Sequence, residues 1–289
     1  MKPMFGINLS TDKKNMQPNG EEFLVAKPSS AMIQAFEKSA EKAAQTVEKS
    51  RFPLWLRITQ WICGALGMLF AVTLFRVMLD SESVGLSQAY QNAPYIFWVG
   101  GIGLLAWICL KLMGGRRQKE ILTSEEGNHA ISNLQGSCDA IYAELCVPAD
   151  AKDVDVLQFF YKEKDGNIKV CEKPMQMTPY FNAIYRVFAD SQSLYLCDLE
   201  GKYAFPLSQL KGIRCVKKRI CIPGWNKDEA LNKGEYKQYK LTIDSYGRIH
   251  CKSYCILEFA CNEEIWGIYI PCYDVHIFEE LTGLKAKEE

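Results

Sequence analysis

The densest concentration of metal-binding side chains lies near the C-terminus, where the sequence contains His250, Cys251, Cys255 and Cys261. Thiolates and imidazole are the usual ligands of zinc, so these four residues form a candidate zinc site. Their spacing favours another interpretation. In an extended strand the three cysteines share one face and His250 points to the other. Because cysteine often packs as a small apolar side chain, we expect core residues here, and we predict no metal ion and no cofactor.

The remaining cysteines offer no recognisable catalytic pattern. The chain has twelve cysteines, ten of them after residue 137, and none forms a CxxC pair. The sequence also lacks the GxSxG, HExxH and glycine-rich phosphate-loop motifs. We therefore predict no catalytic residues and a protein that is not an enzyme. A less favoured alternative is a thiol-based redox sensor or enzyme that uses one of the late cysteines.

Binding is the other chemistry that the residue types allow. Five cations fall within nine residues: Lys211, Arg214, Lys217, Lys218 and Arg219. Near a membrane, each would contribute about 1 kcal/mol to the attraction of anionic lipid headgroups. Trp225, in the loop that follows, is of the type that anchors protein partners. These six residues are our candidate lipid- or partner-binding set; the alternative is a solvated strand face with acidic neighbours. The formal net charge is zero, so we expect no nucleic-acid partner.

Two long apolar segments determine where these residues must act. Residues 58–75 carry no charge and would form about 27 Å of helix, close to the roughly 30 Å hydrocarbon core of a bilayer. Residues 95–113 form a second segment, with aromatic residues toward both ends. We predict a transmembrane hairpin over residues 53–115, with spans at 54–79 and 95–113. Two buried helices of a soluble core are the alternative.

The charges around the spans predict their orientation. The connector between them contains Asp80 and Glu82 but no lysine or arginine, whereas cations precede the first span and follow the second. The positive-inside rule therefore places both termini in the cytoplasm and the connector outside. We expect a multi-pass protein of the cell (inner) membrane. The cytoplasm is reducing, so we expect the late cysteines to be thiols rather than disulfides.

Small residues recur along the first span at every fourth position: Cys63, Gly67 and Ala71. Such a face lets helices approach closely, and Gly100, Gly101 and Gly103 offer a matching patch on the second span. We expect this face to pack the hairpin together. The alternative is a homo-oligomer that also uses the helix before the first span. Neither span has an acidic residue or histidine in its interior, which argues against a proton or ion pathway.

The rest of the chain divides by composition. Residues 1–28 are polar and predict a flexible tail. Residues 29–52 form an amphipathic helix, and residues 116–153 a helical connector. Residues 154–289 alternate between short apolar runs and turn residues, such as Asp165-Gly166. We predict strands at 154–161, 167–172, 180–189, 193–198, 202–205, 213–222, 236–243, 248–251, 255–261 and 265–270.

A last helix at about Tyr273–Thr282, ending at Gly283, follows these strands. The pattern predicts an α+β or mainly-β domain, a small antiparallel barrel capped by its C-terminal helix. A membrane α-helical hairpin with such a domain attached is thus the fold class that we expect.

Residues 183–210 include Tyr185-Arg186-Val187-Phe188, Ser193-Leu194-Tyr195-Leu196 and Phe205-Pro206-Leu207. This stretch resembles the opening strands of bacterial pleckstrin-homology-like (PH-like) domains. Ile265-Trp266-Gly267-Ile268-Tyr269-Ile270 and the helix after it resemble that family's last strand and capping helix. The resemblance covers about residues 154–283. It implies a seven-stranded bent barrel used for binding and scaffolding, although the strands before residue 175 depart from the family pattern.

Together these features predict a membrane-anchored, non-enzymatic binding or scaffolding module at the cytoplasmic face. Its expected partners are the lipid bilayer and either a protein or anionic headgroups.

Overall fold

The computed structural model describes residues 2–4, 6–8, 23–79, 90–91, 93–164, 167–171, 181–223, 239, 241–244, 248–261 and 263–288. The chain divides into two compact units. One unit, Ala31–Cys138, is helical. The other combines Met1–Ser30 with Asp139–Glu289 and contains the sheets; we call it the β domain.

Four of the five described helices lie mainly in the helical unit: α1 (Ser30–Ser50), α2 (Leu54–Leu79), α3 (Pro94–Leu122) and α4 (Glu125–Glu144). Both α2 and α3 are long and apolar enough to cross a membrane. Their large apolar side chains are uncovered: Trp61 is 80% exposed and Met68 is 72% exposed. The helices therefore bury little of their apolar surface within the protein.

Glycines bring α2 and α3 into contact. A Cβ atom on Gly100 would lie 2.4 Å from the Cβ of Phe70, and one on Gly103 would lie 2.9 Å from the Cβ of Leu66. Both positions require glycine because no real Cβ atom approaches another heavy atom so closely. The pairing of two apolar helices through small residues is typical of membrane hairpins.

Helix α3 continues past the predicted span to Leu122. Only two non-helical residues, Thr123 and Ser124, separate it from α4. The hydroxyl of Ser124 accepts a hydrogen bond from the Gly127 N–H at 3.1 Å, which caps the start of α4. The predicted helical connector is thus the end of α3 followed by a second helix.

The packed face of α1 differs from its most apolar face. Ser39, Thr46 and Ser50 are buried, whereas Ile33 and Val47 are exposed. The Ser39 hydroxyl lies 2.9 Å from the hydroxyl of Ser137 on α4. Small side chains let the two helices approach closely, and each buried hydroxyl donates to a carbonyl of its own helix.

The described residues of the β domain form three sheets. The strands are β1 (Lys2–Met4), β2 (Gly6–Asn8), β3 (Leu24–Ala26), β4 (Lys152–Lys164), β5 (Asn167–Cys171), β6 (Phe181–Ala189), β7 (Ser193–Cys197), β8 (Lys202–Pro206), β9 (Leu210–Val216), β10 (Ile220–Pro223), β11 (Thr242–Ile243), β12 (Arg248–Cys251), β13 (Tyr254–Cys261), β14 (Glu264–Pro271) and β15 (Ala286–Glu288). Helix α5 (Val275–Thr282) follows β14 and ends at Gly283, whose φ of 70° is the left-handed conformation that glycine favours.

The first sheet has the order β1–β4–β6–β7–β8–β3, and β5 also pairs with β4. The second sheet has the order β15–β9–β13–β14–β2, and the third is β10–β12–β11. All pairs are antiparallel except β15–β9, which is parallel.

The predicted closed barrel is wrong for the residues that the structure describes. Strand β4 lies beside β14, where the rings of Phe159 and Tyr269 are 5.0 Å apart, but no backbone ladder joins the first sheet to the second. The sequence pattern identifies strands and their buried faces. It does not specify which edges pair, because those contacts join residues that are distant in the sequence.

A second difference is the predicted strand at 213–222, which the structure divides into β9 and β10. Three adjacent cations, Lys217, Lys218 and Arg219, separate the two strands. Alternate strand residues face opposite sides, so a continuous strand would turn at least one of these charges toward the core. The chain turns instead, with the Lys218 N–H donating to the Val216 carbonyl at 2.9 Å.

The main core lies between the first two sheets and includes Val187, Leu196, Leu257 and Ile268. Phe278 of α5 is completely buried in it. A smaller cluster beneath the third sheet includes Leu157, Ile222 and Ile249.

Three strands come from the segment that the sequence predicts to be a flexible tail. Of these, β1 pairs with β4, β2 pairs with β14, and β3 pairs with β8. Phe23, just before β3, is 5% exposed and packs against the rings of Phe205 and Phe259. The N-terminus therefore contributes to the same fold as the C-terminal half of the chain.

Two isoleucines of β14 test this core. Ile268 is completely buried and Ile265 is 41% exposed, so Ile268→Ala should lower the free energy of unfolding by about 2–5 kcal/mol. The matched substitution Ile265→Ala should change it by no more than about 0.5 kcal/mol. Denaturant unfolding of the purified full-length chain in detergent measures both. Equal losses would contradict the assigned faces of β14.

Candidate functional site

The structure separates the four residues of the candidate zinc site. His250 and Cys251 lie on β12 of the third sheet, whereas Cys255 and Cys261 lie on β13 of the second. Cys251 and Cys255 are buried, and His250 lies on the opposite side of its strand from Cys251. In the part of the chain that the structure describes, no three His, Cys, Asp or Glu residues are placed to hold a metal ion.

His250 instead belongs to an ionic cluster on the third sheet. The His250 Nε2 lies 3.0 Å from Oδ2 of Asp244, and the His250 Nδ1 lies 3.3 Å from Nη2 of Arg219. A guanidinium group can only donate, so Nδ1 must be the acceptor. The ring proton is therefore on Nε2 and points to Asp244, whose Oδ2 also accepts from Nε of Arg248 at 2.6 Å.

Cys221 adds a thiol to this cluster, with its Sγ 3.9 Å from Nε2 of His250. A cysteine nucleophile needs a neighbouring base that can take its proton. Here Nε2 already carries a proton, and burial raises the pKa of the Cys221 thiol. The arrangement is therefore a hydrogen-bonded structural cluster rather than a Cys–His catalytic dyad.

One pair of cysteines departs from the expectation of free thiols. Cys215 on β9 and Cys255 on β13 are directly opposite in the strand register, with Cα atoms 4.1 Å apart, and form a disulfide. Nothing in their sequence separation of 40 residues predicted this pairing. Disulfides are typical of oxidising compartments, whereas the charge distribution around the spans predicts a cytosolic β domain.

Two buried carboxylates form a network that the sequence did not predict. Asp155 on β4 and Asp274 just before α5 are 0% and 2% exposed. The Asp155 N–H donates to Oδ2 of Asp274 at 2.7 Å, and the Tyr273 hydroxyl donates to Oδ2 of Asp155. Burial, and next the charge of Asp155, raise the pKa of Tyr273, which therefore remains a hydrogen-bond donor.

A thiol pair lies beside these carboxylates. The Cys251 thiol donates to Cys272, which lowers the pKa of Cys272 to about 7 and raises the pKa of Cys251. Both cysteines are buried in the cluster beneath the third sheet, together with Tyr273. A substrate has no access to sulfur atoms in such a position. We interpret the network as one that fixes β4, β12 and the turn before α5 relative to one another.

The basic cluster is only partly available for binding. Arg214 forms an ion pair with Glu258 on the neighbouring strand at 2.8 Å, and Lys217 pairs with Glu288 at 2.6 Å. Arg219 contacts His250, as described above. Lys211 and Lys218 are exposed and have no ion-pair partner among the residues described here. The sixth predicted binding residue, Trp225, lies outside the described residues.

The small-residue face of α2 lies partly against α3. A Cβ atom on Gly67 would be 3.1 Å from the Cα of Leu104, and the carbonyl of Cys63 lies near Gly103. Ala71 is exposed at the edge of a groove between the two helices. Whether this face also joins two copies of the chain stays a prediction.

Two cations of the first sheet hold the C-terminal end of α4. The Arg186 guanidinium lies over the ring of Tyr142 at 4.1 Å and pairs with Asp139 at 3.7 Å. The Lys202 ammonium donates to the Leu145 carbonyl at 3.3 Å, where a cation is favoured by the helix dipole. Local sequence patterns give no signal for these contacts, because the partners are more than forty residues apart.

No protein-family model, curated protein or solved structure matches this chain.

The buried network predicts a difference between two tyrosines that both donate to an aspartate. Tyr273→Phe leaves the buried Asp155 carboxylate without one donor, so it should lower the free energy of unfolding by about 1–3 kcal/mol. Tyr195→Phe removes a hydrogen bond to the exposed Asp190 and should have a smaller effect, because water can replace the donor. Denaturant unfolding of both variants makes the comparison; an equal or larger loss for Tyr195→Phe would contradict the role of Tyr273.

Proposed function

We propose that the chain is a membrane-anchored, non-enzymatic binding or scaffolding module whose β domain acts in the cytoplasm. The observation that carries the proposal is the apolar surface of α2 and α3. Only 6% and 11% of the most apolar window of each helix is buried within the protein. Exposed side chains of this kind include Leu54, Trp61, Met68, Leu79 and Leu105.

Exposure of this apolar surface to water would be strongly unfavourable. Burying one large apolar side chain is worth about 1.5–3 kcal/mol, and many such side chains lie uncovered along both helices. Soluble monomers rarely expose contiguous apolar patches larger than a few hundred Å². A bilayer supplies the missing apolar environment, and it satisfies helices because their backbone hydrogen bonds are internal.

The cations near the helix ends support the orientation. Arg116, Arg117 and Lys119 occupy the last turns of α3, whereas the connector before α3 contains two acidic residues and no cation. By the positive-inside rule, the β domain then lies in the cytoplasm and the connector outside.

A PH-like class for the β domain is part of the proposal. What supports it is the pair of mainly antiparallel sheets around one core, with α5 following the last long strand. The buried or occupied reactive groups support a non-enzymatic role. Burial raises the pKa of Cys197 to about 12, and both ring nitrogens of His250 have partners. Within the basic cluster, Lys211 and Lys218 have no ion-pair partner in the described part of the chain, and we propose that they contact an acidic partner or a headgroup.

An exposed cysteine of the β domain tests the anchor and its orientation. Cys146 follows α4 and is exposed, so a membrane-impermeant maleimide should label it only after the cells are permeabilised. As a control, Ser87→Cys places a thiol in the connector, which should be labelled in intact cells. Mass spectrometry locates both labels, and alkaline carbonate should leave the chain in the membrane pellet. Labelling of Cys146 in intact cells would contradict the orientation, and release by carbonate would contradict the anchor.

The Cys215–Cys255 bond favours a second candidate function, a thiol–disulfide sensor. A cellular dithiol of the thioredoxin class would reduce it. The S–S bond breaks, two electrons and two protons pass to Cys215 and Cys255, and the dithiol leaves as a disulfide.

Thiol trapping in acid-quenched cells tests this candidate. The oxidised fraction of Cys215 and Cys255 should rise when cells are treated with diamide and fall after its removal. The buried thiol of Cys197 should remain reduced and serves as the internal control. A Cys215–Cys255 pair that stays in one state throughout would reject the sensor.

A further inference from the structure

The C-terminal half of α3 lines an open groove of about 600 Å³. The groove is lined by Trp107, Ile108 and Leu112 and by the aliphatic stems of Lys111, Arg116 and Lys119, whose charged groups lie at its margin. These residues recur at helical spacing, so they form two adjacent ridges on one face of α3.

The three cations of the groove have no carboxylate partner in the described part of the chain. Lys111 lies over the ring of Trp107, 5.0 Å from its centroid, and no ion pair involves Arg116 or Lys119. The positive charge is therefore available to an external anion. Guanidinium and ammonium groups are the usual protein ligands of phosphate.

Gly115 leaves the groove open between the cations. A Cβ atom on Gly115 would meet no heavy atom within 4 Å, whereas one on the neighbouring Gly114 would lie 3.1 Å from the ring of Phe52. Packing within the protein thus accounts for Gly114 but not for Gly115. Because Lys111, Gly115 and Lys119 are spaced by four residues, they lie on one face of α3, and the missing side chain leaves a space between two basic residues.

We propose that this groove binds one anionic phospholipid of the cytoplasmic leaflet, an inference that rests on the proposed membrane anchor. Charge complementarity selects the headgroup: its phosphate contacts Arg116 and Lys119 beside Gly115. The acyl chain follows Leu112 and Ile108 toward Trp107. These apolar side chains lie about 10–18 Å along the helix from Lys119, so one lipid reaches both the cations and the apolar residues.

Native mass spectrometry of the full-length chain in nonionic detergent tests the proposal, with dioleoyl-phosphatidylglycerol as the anionic probe and dioleoyl-phosphatidylcholine for comparison. Wild type should bind the anionic lipid about tenfold or more tightly, since each cation near an anionic headgroup strengthens binding severalfold. The triple variant Lys111→Gln, Arg116→Gln, Lys119→Gln should lose this preference. A charge-matched control, Lys252→Gln, Lys285→Gln, Lys287→Gln, should retain it.

A pair of glycine substitutions tests the groove without changing charge. Gly115→Leu fills the space between the cations and should weaken binding of the anionic lipid several-fold. Gly101→Leu is its matched control, because a Cβ atom at Gly101 also meets nothing within 4 Å. It lies outside the groove and should bind as wild type does.

Equal affinity of wild type for both lipids, or unchanged binding by Gly115→Leu and the triple variant, would overturn the proposal. Failure of this inference is distinguishable from failure of the anchor. A chain that resists alkaline carbonate but shows no lipid preference loses only the groove, whereas a chain released by carbonate loses the proposed function as well.

Discussion

The uncovered apolar surface of α2 and α3 is the constraint on which the other features of the chain depend. Gly100 and Gly103 of α3 pack against α2, and both helices leave most of their large apolar side chains facing outward. Transfer of such a surface from water to an apolar medium is favourable. A bilayer would fix the position of the cations at the end of α3, supply the anionic lipid proposed for the groove beside Gly115, and confine the β domain to one compartment.

The β domain is held together by more than its apolar core. Tyr273, Asp155 and Asp274 form buried hydrogen bonds between β4 and the turn before α5, and Cys251 and Cys272 lie next to them. Such networks favour one arrangement of strands over others, because a displaced strand would leave a buried carboxylate without its donors. The Cys215–Cys255 disulfide adds a covalent link between β9 and β13. The two features indicate different compartments. The disulfide is typical of an oxidising compartment, whereas the charges around the spans predict that the β domain lies in the reducing cytosol.

Local patterns predicted the individual elements well. The α2 helix, the hairpin that joins β7 to β8, and the end of α5 at Gly283 all follow from the residues within them. The predicted strand at 213–222 was wrong because three adjacent cations interrupt it. The candidate binding residues could not be judged in the same way. In the fold, Arg214, Lys217 and Arg219 contact partners on β13, β15 and β12, respectively. Those partners lie thirty or more residues away, beyond the reach of any local pattern.

The sequence by itself determined which segments are apolar enough to span a membrane and which residues alternate along strands, and its charges predict an orientation for the two spans. Hydropathy, charge and periodicity are properties of neighbouring residues, so they can be read directly. Only the tertiary structure decided that Phe23 belongs to the core, that the sheets stay open, that Cys215 faces Cys255 and that Asp155 is buried with Tyr273. Each of these depends on contacts between distant parts of the chain, whose pairing is chosen by the packing of the whole domain.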